Sequence, residues 1–228
     1  TLKSEVELLG AGADVTTIKA STGSVVTVPT VGFRTKISGF TIDGVDKSGG
    51  SDYGIYCNDH SSPSISNVTI TNTGSYGIFC FYFSSPPISN VTITNTGENG
   101  IHCHDNASPT INNVTITLAN GDGIFCTGSG PKIRGSVISQ NSLNGIAILW
   151  HSPPDLGTEI EPGGNSIFNN GGFDVLNDLT DEVKAEGNWW GQSPPNPAFF
   201  SGPVDYDPWL TEPPPPWPSI TSVSPNAG

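Results

Sequence analysis

The sequence lacks methionine, has few basic residues and contains no long apolar run. Its 228 residues include no methionine, and eight lysines and arginines face 21 aspartates and glutamates, which gives a formal net charge of −13. Nucleic acids and anionic membranes need a basic surface, so neither is an expected partner. Without an apolar stretch of about 18 residues, no membrane-spanning segment is expected. The missing initiator methionine indicates a mature or trimmed fragment.

A repeat of 23 residues occupies the middle of the chain. The pattern Gly-Ile-x-Cys begins at Gly54 and returns at Gly77, Gly100 and Gly123. Between these copies, the run Asn-Val-Thr-Ile-Thr also returns every 23 residues, beginning at Asn67. A fixed period in the low twenties, filled with short alternating runs, is typical of a solenoid whose repeats stack to share one core.

Alternation within each period predicts three short strands. In the run 78–81, Ile78 and Cys80 point inward, and Phe79 and Phe81 point outward. The stretches between strands are too short for a crossover helix, which excludes a doubly wound fold. Residues one period apart are expected to stack as columns, among them a cysteine column of Cys57, Cys80, Cys103 and Cys126.

The repeat resembles the right-handed parallel β-helix of the pectate-lyase-like superfamily, over about residues 5–190. The resemblance implies an all-β solenoid of about eight coils with three short strands in each coil. It also implies a ladder of stacked amides in the bend between the second and third strands, at Asn67, Asn90 and Asn113. The resemblance is specific for fold and says little about function.

Composition shifts near the end of the chain divide it into four segments. Residues 1–191 are predicted to form the β-helix domain and residues 192–211 a closing segment that covers the end of the solenoid. Residues 212–218 are a stiff proline-rich linker. Residues 219–228 resemble the first strand of an immunoglobulin-like IPT/TIG module, with a strand donated to a neighbouring subunit as the alternative. A module of that kind would place the protein outside the cell or on its surface.

The four cysteines are expected to be reduced core thiols. As a row they cannot surround a zinc ion tetrahedrally. Adjacent rungs are close enough for a disulfide, but parallel side chains on stacked strands fit disulfide geometry poorly. Buried thiols pack as small apolar groups.

In pectate-lyase-like enzymes the groove follows the outward face of the first strand and the loops after it, and the resemblance implies the same place here. A lyase needs carboxylates that hold Ca²⁺ and a basic residue, and a glycoside hydrolase needs two opposed carboxyl groups. The outward columns of this strand contain none of these groups. The best remaining catalytic candidates are His102, His104 and Asp105, which could also bind a transition metal. Alternatively, these three residues are only exposed polar side chains on one coil and have no function.

No cofactor is firmly expected, although calcium has one candidate site. The loop after the second coil carries Asp43, Asp46 and Asp52 near a glycine-rich turn, and three carboxylates could bind Ca²⁺. A solvated acidic loop is the favoured interpretation.

The outward face of the first strand is unusually aromatic for a surface. Its predicted binding residues are Tyr56, Phe79, Phe81, Tyr82, Phe83 and Phe125, with His102 and His104. Aromatic rings stack on sugars, so the face could be a carbohydrate groove. Phenylalanine has no polar group to offer a sugar, which favours a protein interface.

These observations predict a non-catalytic, secreted or cell-surface structural or adhesive module that contacts a partner through the aromatic face. The partner would be protein, either a second copy or a neighbouring domain, or a polysaccharide. Two alternatives stay open. One is a polysaccharide lyase, hydrolase or epimerase that uses His102, His104 and Asp105, and the other is a carbohydrate-binding module.

Overall fold

The computed structural model describes residues 1–20, 23–30, 32, 34–44, 52–151 and 153–215. Nineteen strands and a single 3-10 helix, Pro197–Phe199, lie within these ranges. The strands are β1 (Glu7–Leu9), β2 (Thr17–Lys19), β3 (Val26–Pro29), β4 (Lys36–Asp43), β5 (Ile55–Asn58), β6 (Ser64–Thr73), β7 (Ile78–Phe81), β8 (Pro87–Thr96), β9 (Ile101–His104), β10 (Thr110–Thr117), β11 (Ile124–Thr127), β12 (Lys132–Arg134), β13 (Val137–Ser139), β14 (Ile146–Leu149), β15 (Ser166–Phe168), β16 (Val175–Asn177), β17 (Val183–Lys184), β18 (Phe200–Ser201) and β19 (Val204–Asp205).

The strands form two long parallel sheets that run along one solenoid. The cysteine sheet has eight strands in the order β3-β5-β7-β9-β11-β14-β16-β18. The threonine sheet has the order β1-β4-β6-β8-β10-β13-β15, with β2 beside β4 and β12 beside β10. Strands β17 and β19 pair separately. The eight strands of the cysteine sheet agree with the predicted number of coils, and the all-β parallel solenoid is confirmed.

The stacked columns predicted from the repeat are confirmed in register. Cys57 lies opposite Cys80, Cys80 opposite Cys103, and Cys103 opposite Cys126. The column continues into Val28 at one end and Ile148 at the other. All four cysteines are free and buried. Hydrogen bonding to Cys80, together with burial, raises the pKa of Cys57 well above its usual value, so Cys57 is a neutral thiol.

The repeated glycines are needed because adjacent coils approach closely. A Cβ atom added at Gly77 would lie 2.5 Å from Cγ2 of Ile93 and 2.6 Å from the carbonyl oxygen of Gly100. Those distances are shorter than ordinary van der Waals contacts, so a side chain here would push the coil apart. Glycine at this position lets each strand of the cysteine sheet begin against the core.

The second and third predicted strands run together through most of the solenoid. They form single strands such as β6 and β8, bent at Asn67 and Asn90, where φ is +53°. Asparagine tolerates this left-handed backbone better than most residues do. The predicted amide ladder is partial: Asn113 Nδ2 donates to Asn90 Oδ1, but Asn67 Nδ2 donates to Ser38 Oγ instead.

The C-terminal end of the solenoid is closed by aromatic side chains. Trp190 is the largest fully buried side chain, and its ring packs edge-on against Phe200. Within the predicted closing segment 192–211, β18 extends the cysteine sheet and β19 pairs with β17. The proline-rich stretch then returns to the threonine sheet, where Pro214 and Pro215 line a cavity of about 200 Å³ beside Thr115. Residues 216–228, with the end of the predicted linker and the IPT/TIG-like strand, lie outside the described residues.

The described residues contain no helix with the length and apolarity needed to cross a membrane.

We expect Ile93→Ala to destabilise the solenoid far more than Thr92→Ala. Ile93 is completely buried at the centre of β8, whereas its neighbour Thr92 is exposed. Deleting the buried methyl groups leaves a cavity that costs about 3–4 kcal/mol, and the exposed change costs less than about 0.5 kcal/mol. Urea unfolding followed by circular dichroism measures both changes. Equal losses for the two variants would show that Ile93 is not in a shared core.

Candidate functional site

The outer face of the cysteine sheet carries a continuous group of rings, here called the aromatic face. Strands β5, β7, β9 and β11 each contribute to two outward columns, and parallel strands lie about 4.8 Å apart. The 23-residue register therefore brings successive rings into contact. The aromatic face consists of Tyr53, Tyr56, Tyr76, Phe79, Phe81, His102, His104 and Phe125.

Rings in the central column cover one another. The centroids of Tyr56 and Phe79 are 5.3 Å apart with an interplanar angle of 13°. Phe79 and His102 are 5.0 Å apart, and His102 and Phe125 are 4.9 Å apart. Phe79 thus has a ring on either side along the column and is only partly exposed. The column offers edges rather than free ring faces to a ligand.

Sequence reasoning missed Tyr53 and Tyr76, which extend the aromatic face. Their rings stack with centroids 5.3 Å apart and an interplanar angle of 2°. Tyr76 also contacts His102 edge-on at 4.7 Å. Burial, reinforced by the charge of Glu98, raises the pKa of Tyr76 to about 12. Both tyrosines directly precede the repeated glycine at 23-residue spacing, which is the signal that could have found them.

His102 is buried, so the interpretation as an exposed rung is wrong for this residue. Only 7% of it is exposed, because Tyr76, Phe79 and Phe125 surround the ring. Burial, with a smaller effect of nearby His104, lowers the pKa of His102 to about 4. Its Nε2 lies 3.4 Å from Thr127 Oγ1, and its Nδ1 has no hydrogen-bond partner among the described residues. His102 is therefore a neutral imidazole that helps to build the face.

His104 on this face and Asp105 in the turn that follows it are the predicted acid–base pair. His104 Nδ1 lies 3.2 Å from Asp105 Oδ2, but the contact does not have hydrogen-bond geometry. Half of the Asp105 side chain is exposed, and the His104 side chain is 31% exposed. The lysines and arginines in the described part of the chain all lie away from the outward columns of the cysteine sheet. A reaction that builds up negative charge would find no cationic side chain there.

The residues after each strand of the cysteine sheet form a second surface, here called the turn ridge. These turns have positive φ angles, which project consecutive side chains out of the solenoid. Tyr82 and Phe83 are each 45% exposed, and Trp150 is 67% exposed. His60 stacks on Phe83 with centroids 5.1 Å apart. The turn ridge consists of Asp59, His60, Tyr82, Phe83, Asp105, Asn106, Trp150 and His151.

A cavity of about 260 Å³ adjoins the C-terminal end of the turn ridge. Trp150 and His151 form one side of it, and the next coil supplies Leu179 and Thr180 together with the carboxylates of Asp178 and Asp181. The sequence prediction did not include this cavity, because the enlarged loop after Leu149 interrupts the repeat.

The predicted calcium residues are already engaged where the structure describes them. Asp43 pairs with Lys19, with 2.8 Å between Oδ2 and Nζ, and accepts a hydrogen bond from Asn72. Asp52 Oδ1 accepts from the backbone N–H of Gly23. Asp46 lies outside the described residues. Among the described residues, no three histidine, cysteine or acidic side chains are grouped as metal ligands would be.

Comparison with known proteins identifies the fold. The family model described as a right handed beta helix region matches residues 16–189. A mutant of the periplasmic alginate epimerase AlgG superposes with a TM-score of 0.53 at 14% identity, over 82% of this chain and 59% of that chain. The A-module of the mannuronan C-5 epimerase AlgE6 from Azotobacter vinelandii gives 0.52 at 14% identity, over 93% of this chain and 83% of that chain. No curated protein matches the sequence. At this identity the likeness concerns the fold alone.

We expect His102→Phe to remove an acid-sensitive component of stability. The folded state holds the His102 pKa near 4, below the ordinary value of 6.5. The contribution of neutral His102 to the free energy of unfolding is thus fully present above pH 6.5. It is lost as the pH falls through about 4, and the total loss is roughly 3 kcal/mol. Phenylalanine continues the column without titrating.

Urea unfolding between pH 7 and about 4 measures this difference. The His102→Phe profile is expected to fall less steeply with acid than the wild-type profile, whereas exposed His151→Phe is expected to follow wild type. Parallel profiles for wild type and His102→Phe would contradict the burial of a neutral ring.

Proposed function

The chain belongs to the right-handed β-helix family, and we propose that within this fold it is a non-catalytic module that binds neutral polysaccharide along the turn ridge. The observation that carries the proposal is the position of the exposed rings. Tyr82 and Phe83 follow β7, and Trp150 follows β14, three strands further along the same sheet. The two aromatic ends of the turn ridge are thus separated by about 14 Å, a span suited to an oligosaccharide segment.

The turn ridge suits a sugar chain better than the aromatic face does. Sugars stack on exposed ring faces, and in the aromatic face the rings cover each other. Trp150 is 67% exposed and makes no ring contact with another described residue, whereas Phe83 is stacked on one side by His60. Asp105 and Asn106, between the two aromatic ends, can exchange hydrogen bonds with hydroxyl groups. Rings at the ends with polar groups between them fit an extended neutral glycan.

Charge favours a neutral polysaccharide over an acidic one. Asp59 and Asp105 lie on or beside the turn ridge, and Asp178 and Asp181 line the cavity at its end. With a net charge of −13 on the whole chain, these carboxylates would repel a polyuronate. AlgG and AlgE6 are named as epimerases of alginate and mannuronan, and the ligand proposed here differs from theirs in charge.

We expect polysaccharide binding to weaken when either aromatic end of the turn ridge is removed. Each stacked ring contributes about 0.5–1.5 kcal/mol, so Trp150→Ala and Phe83→Ala should each weaken binding by roughly twofold to tenfold, and the double variant by more. Affinity electrophoresis in gels that contain glucan, mannan, galactan or alginate measures the retardation.

Leu143→Ala is the matched control, because Leu143 is 52% exposed but lies outside the turn ridge. It should bind as wild type does. If a neutral polysaccharide retards the wild type and the double variant equally, or if only alginate retards the protein, the proposal is wrong. Concentration-dependent assembly lost in Phe79→Ala would support the aromatic face as a contact between copies instead.

Catalysis is the second candidate, and the contact between His104 and Asp105 is the observation that favours it. A partly exposed imidazole beside a carboxylate can move a proton on a bound sugar. Turnover of any of the same polysaccharides, abolished in His104→Ala with binding retained, would establish an enzyme. Binding without turnover in the wild type supports the non-catalytic module.

A further inference from the structure

The cavity at the C-terminal end of the turn ridge has two chemically different sides. Trp150 and His151 form one side, and the loop after β16 forms the other. That loop supplies the carboxylates of Asp178 and Asp181, with Leu179 between them in the chain. The volume of about 260 Å³ is at the small end for ligand sites, so the cavity fits one sugar ring rather than an oligosaccharide.

A buried asparagine fixes the backbone of this loop. Asn177 is only 3% exposed, and its Oδ1 accepts a hydrogen bond from the backbone N–H of Leu179 at 3.0 Å. Its Nδ2 donates to the carbonyl oxygen of Asp181 at 2.9 Å. The N–H of Asp178 donates to the carbonyl oxygen of Ile148 in β14, which ties the loop to the preceding coil. The backbone positions of both aspartates are therefore set before a ligand arrives.

Both carboxylates are exposed and without a partner. The side chains of Asp178 and Asp181 make no hydrogen bond or ion pair with a described residue. Lys184, the next lysine along the chain, is held elsewhere by Asp205 and Glu182, whose oxygens lie 2.6 and 3.0 Å from its Nζ. In the described part of the chain, no lysine or arginine lines the cavity. Two uncompensated negative charges on one side favour a positively charged ligand.

The opposite side offers an open aromatic surface. Trp150 projects into solvent and has no ring stacked on it among the described residues. An indole ring attracts ammonium groups through the negative potential of its face, and it also accepts the C–H surface of a sugar. Leu179, which packs against the core, adds a small apolar area to the wall. An open indole opposite free carboxylates suits a ligand that carries an ammonium group on an apolar frame.

A second cavity, beside Asp174 near the end of the solenoid, has a similar volume of about 250 Å³ but no comparable open groups. Its indole, Trp190, is fully buried. Asp174 is only 3% exposed and already accepts hydrogen bonds from Asn170. The groups that line the cavity beside Trp150 are exposed by contrast, so a ligand can reach them.

We propose that the cavity beside Trp150 binds the ammonium group of an amino sugar, that is, a hexosamine residue whose nitrogen is not acetylated. The ammonium group donates charge-assisted hydrogen bonds to Asp178 and Asp181, and the C–H surface of the ring rests on Trp150. The inference rests on the proposed function in taking a sugar as the ligand. The turn ridge then holds neutral residues of the glycan, and the cavity selects a residue that carries a positive charge.

Calcium fits this wall less well than an ammonium group does. The ion takes about six to eight oxygen ligands, and the indole would have no part in binding it. Among the residues that the structure describes, this loop supplies two carboxylates but no group of three acidic, histidine or cysteine side chains arranged as metal ligands.

The indole N–H resonance of Trp150 in ¹⁵N-labelled protein measures binding in the cavity, and its absence from Trp150→Phe assigns it. The probes are the methyl glycosides of glucosamine, N-acetylglucosamine and glucose, each titrated separately in the presence of EDTA. The glucosamine glycoside is expected to shift the resonance saturably and to bind at least about threefold more tightly than the two neutral glycosides, because only it carries a charge.

The double variant Asp178→Asn, Asp181→Asn is expected to weaken the glucosamine titration by roughly threefold to tenfold and to leave the neutral glycosides unchanged. Asparagine keeps the shape of aspartate and removes its charge. The matched control is Asp14→Asn with Glu159→Gln, which removes two exposed carboxylates outside the cavity and changes the net charge equally. The control should bind as wild type does.

The inference is overturned if the glucosamine glycoside gives no saturable shift, if it binds no more tightly than the N-acetylglucosamine glycoside, or if the double variant binds as the control does. Equally tight binding of Nα-acetyl-lysine methylamide would overturn it in favour of a protein partner, and binding that requires calcium in place of EDTA would overturn it in favour of a metal site. Retardation by a neutral polysaccharide without a preference for the amine would sustain the turn ridge and refute the cavity. A preference for the amine without retardation by any neutral polysaccharide would do the reverse.

Discussion

The structure depends on parallel backbone pairing between coils, which holds residues 23 positions apart directly above one another. The register from Cys57 to Cys126 and from Ile78 to Ile124 shows no slip through the central coils. A shift by one residue would turn every buried isoleucine outward, because side chains alternate along a strand. The same register that builds the core also decides what the surface presents.

The stacking of aromatic rings along the sheet limits which rings a ligand can reach, and this cannot be seen from the number of aromatic residues alone. Aromatic residues on neighbouring strands of a sheet cover each other's ring faces, as Tyr56, Phe79 and His102 do. The stacked rings hold each other in place, and only part of each ring is exposed to solvent. Aromatic residues in the turns project from left-handed backbone and stay exposed, as Phe83 and Trp150 do. In a solenoid rich in aromatic residues, the rings that are exposed to a ligand can therefore lie in the turns next to the sheet rather than on the sheet itself.

The 23-residue repeat determined how much of the fold and of the candidate site could be predicted from the sequence. Periodicity predicted the fold, the cysteine column and the outward rings on β5, β7, β9 and β11, because those features follow from one register, but Tyr53 and Tyr76 were missed. It did not predict the burial of His102, which requires the sizes of its neighbours on three strands. Periodicity also did not predict the cavity beside Asp174 or the salt bridge between Arg134 and Asp155, in which Nη2 and Oδ1 are 2.7 Å apart. Those contacts arise where loops of unequal length return to the solenoid after the repeat has ended.

The change in loop length also explains why the cavities beside Trp150 and Asp174 lie in the C-terminal half of the chain. Regular coils leave only shallow surfaces, because each coil repeats the outline of the one before it. The longer segment after Leu149 and the closing turn after Trp190 break that outline and enclose the two cavities beside Trp150 and Asp174. Side chains in these segments are released from the requirement to stack on an identical neighbour. They can then bring a carboxylate, an indole and an amide side chain into the wall of one cavity, which a uniform column cannot do.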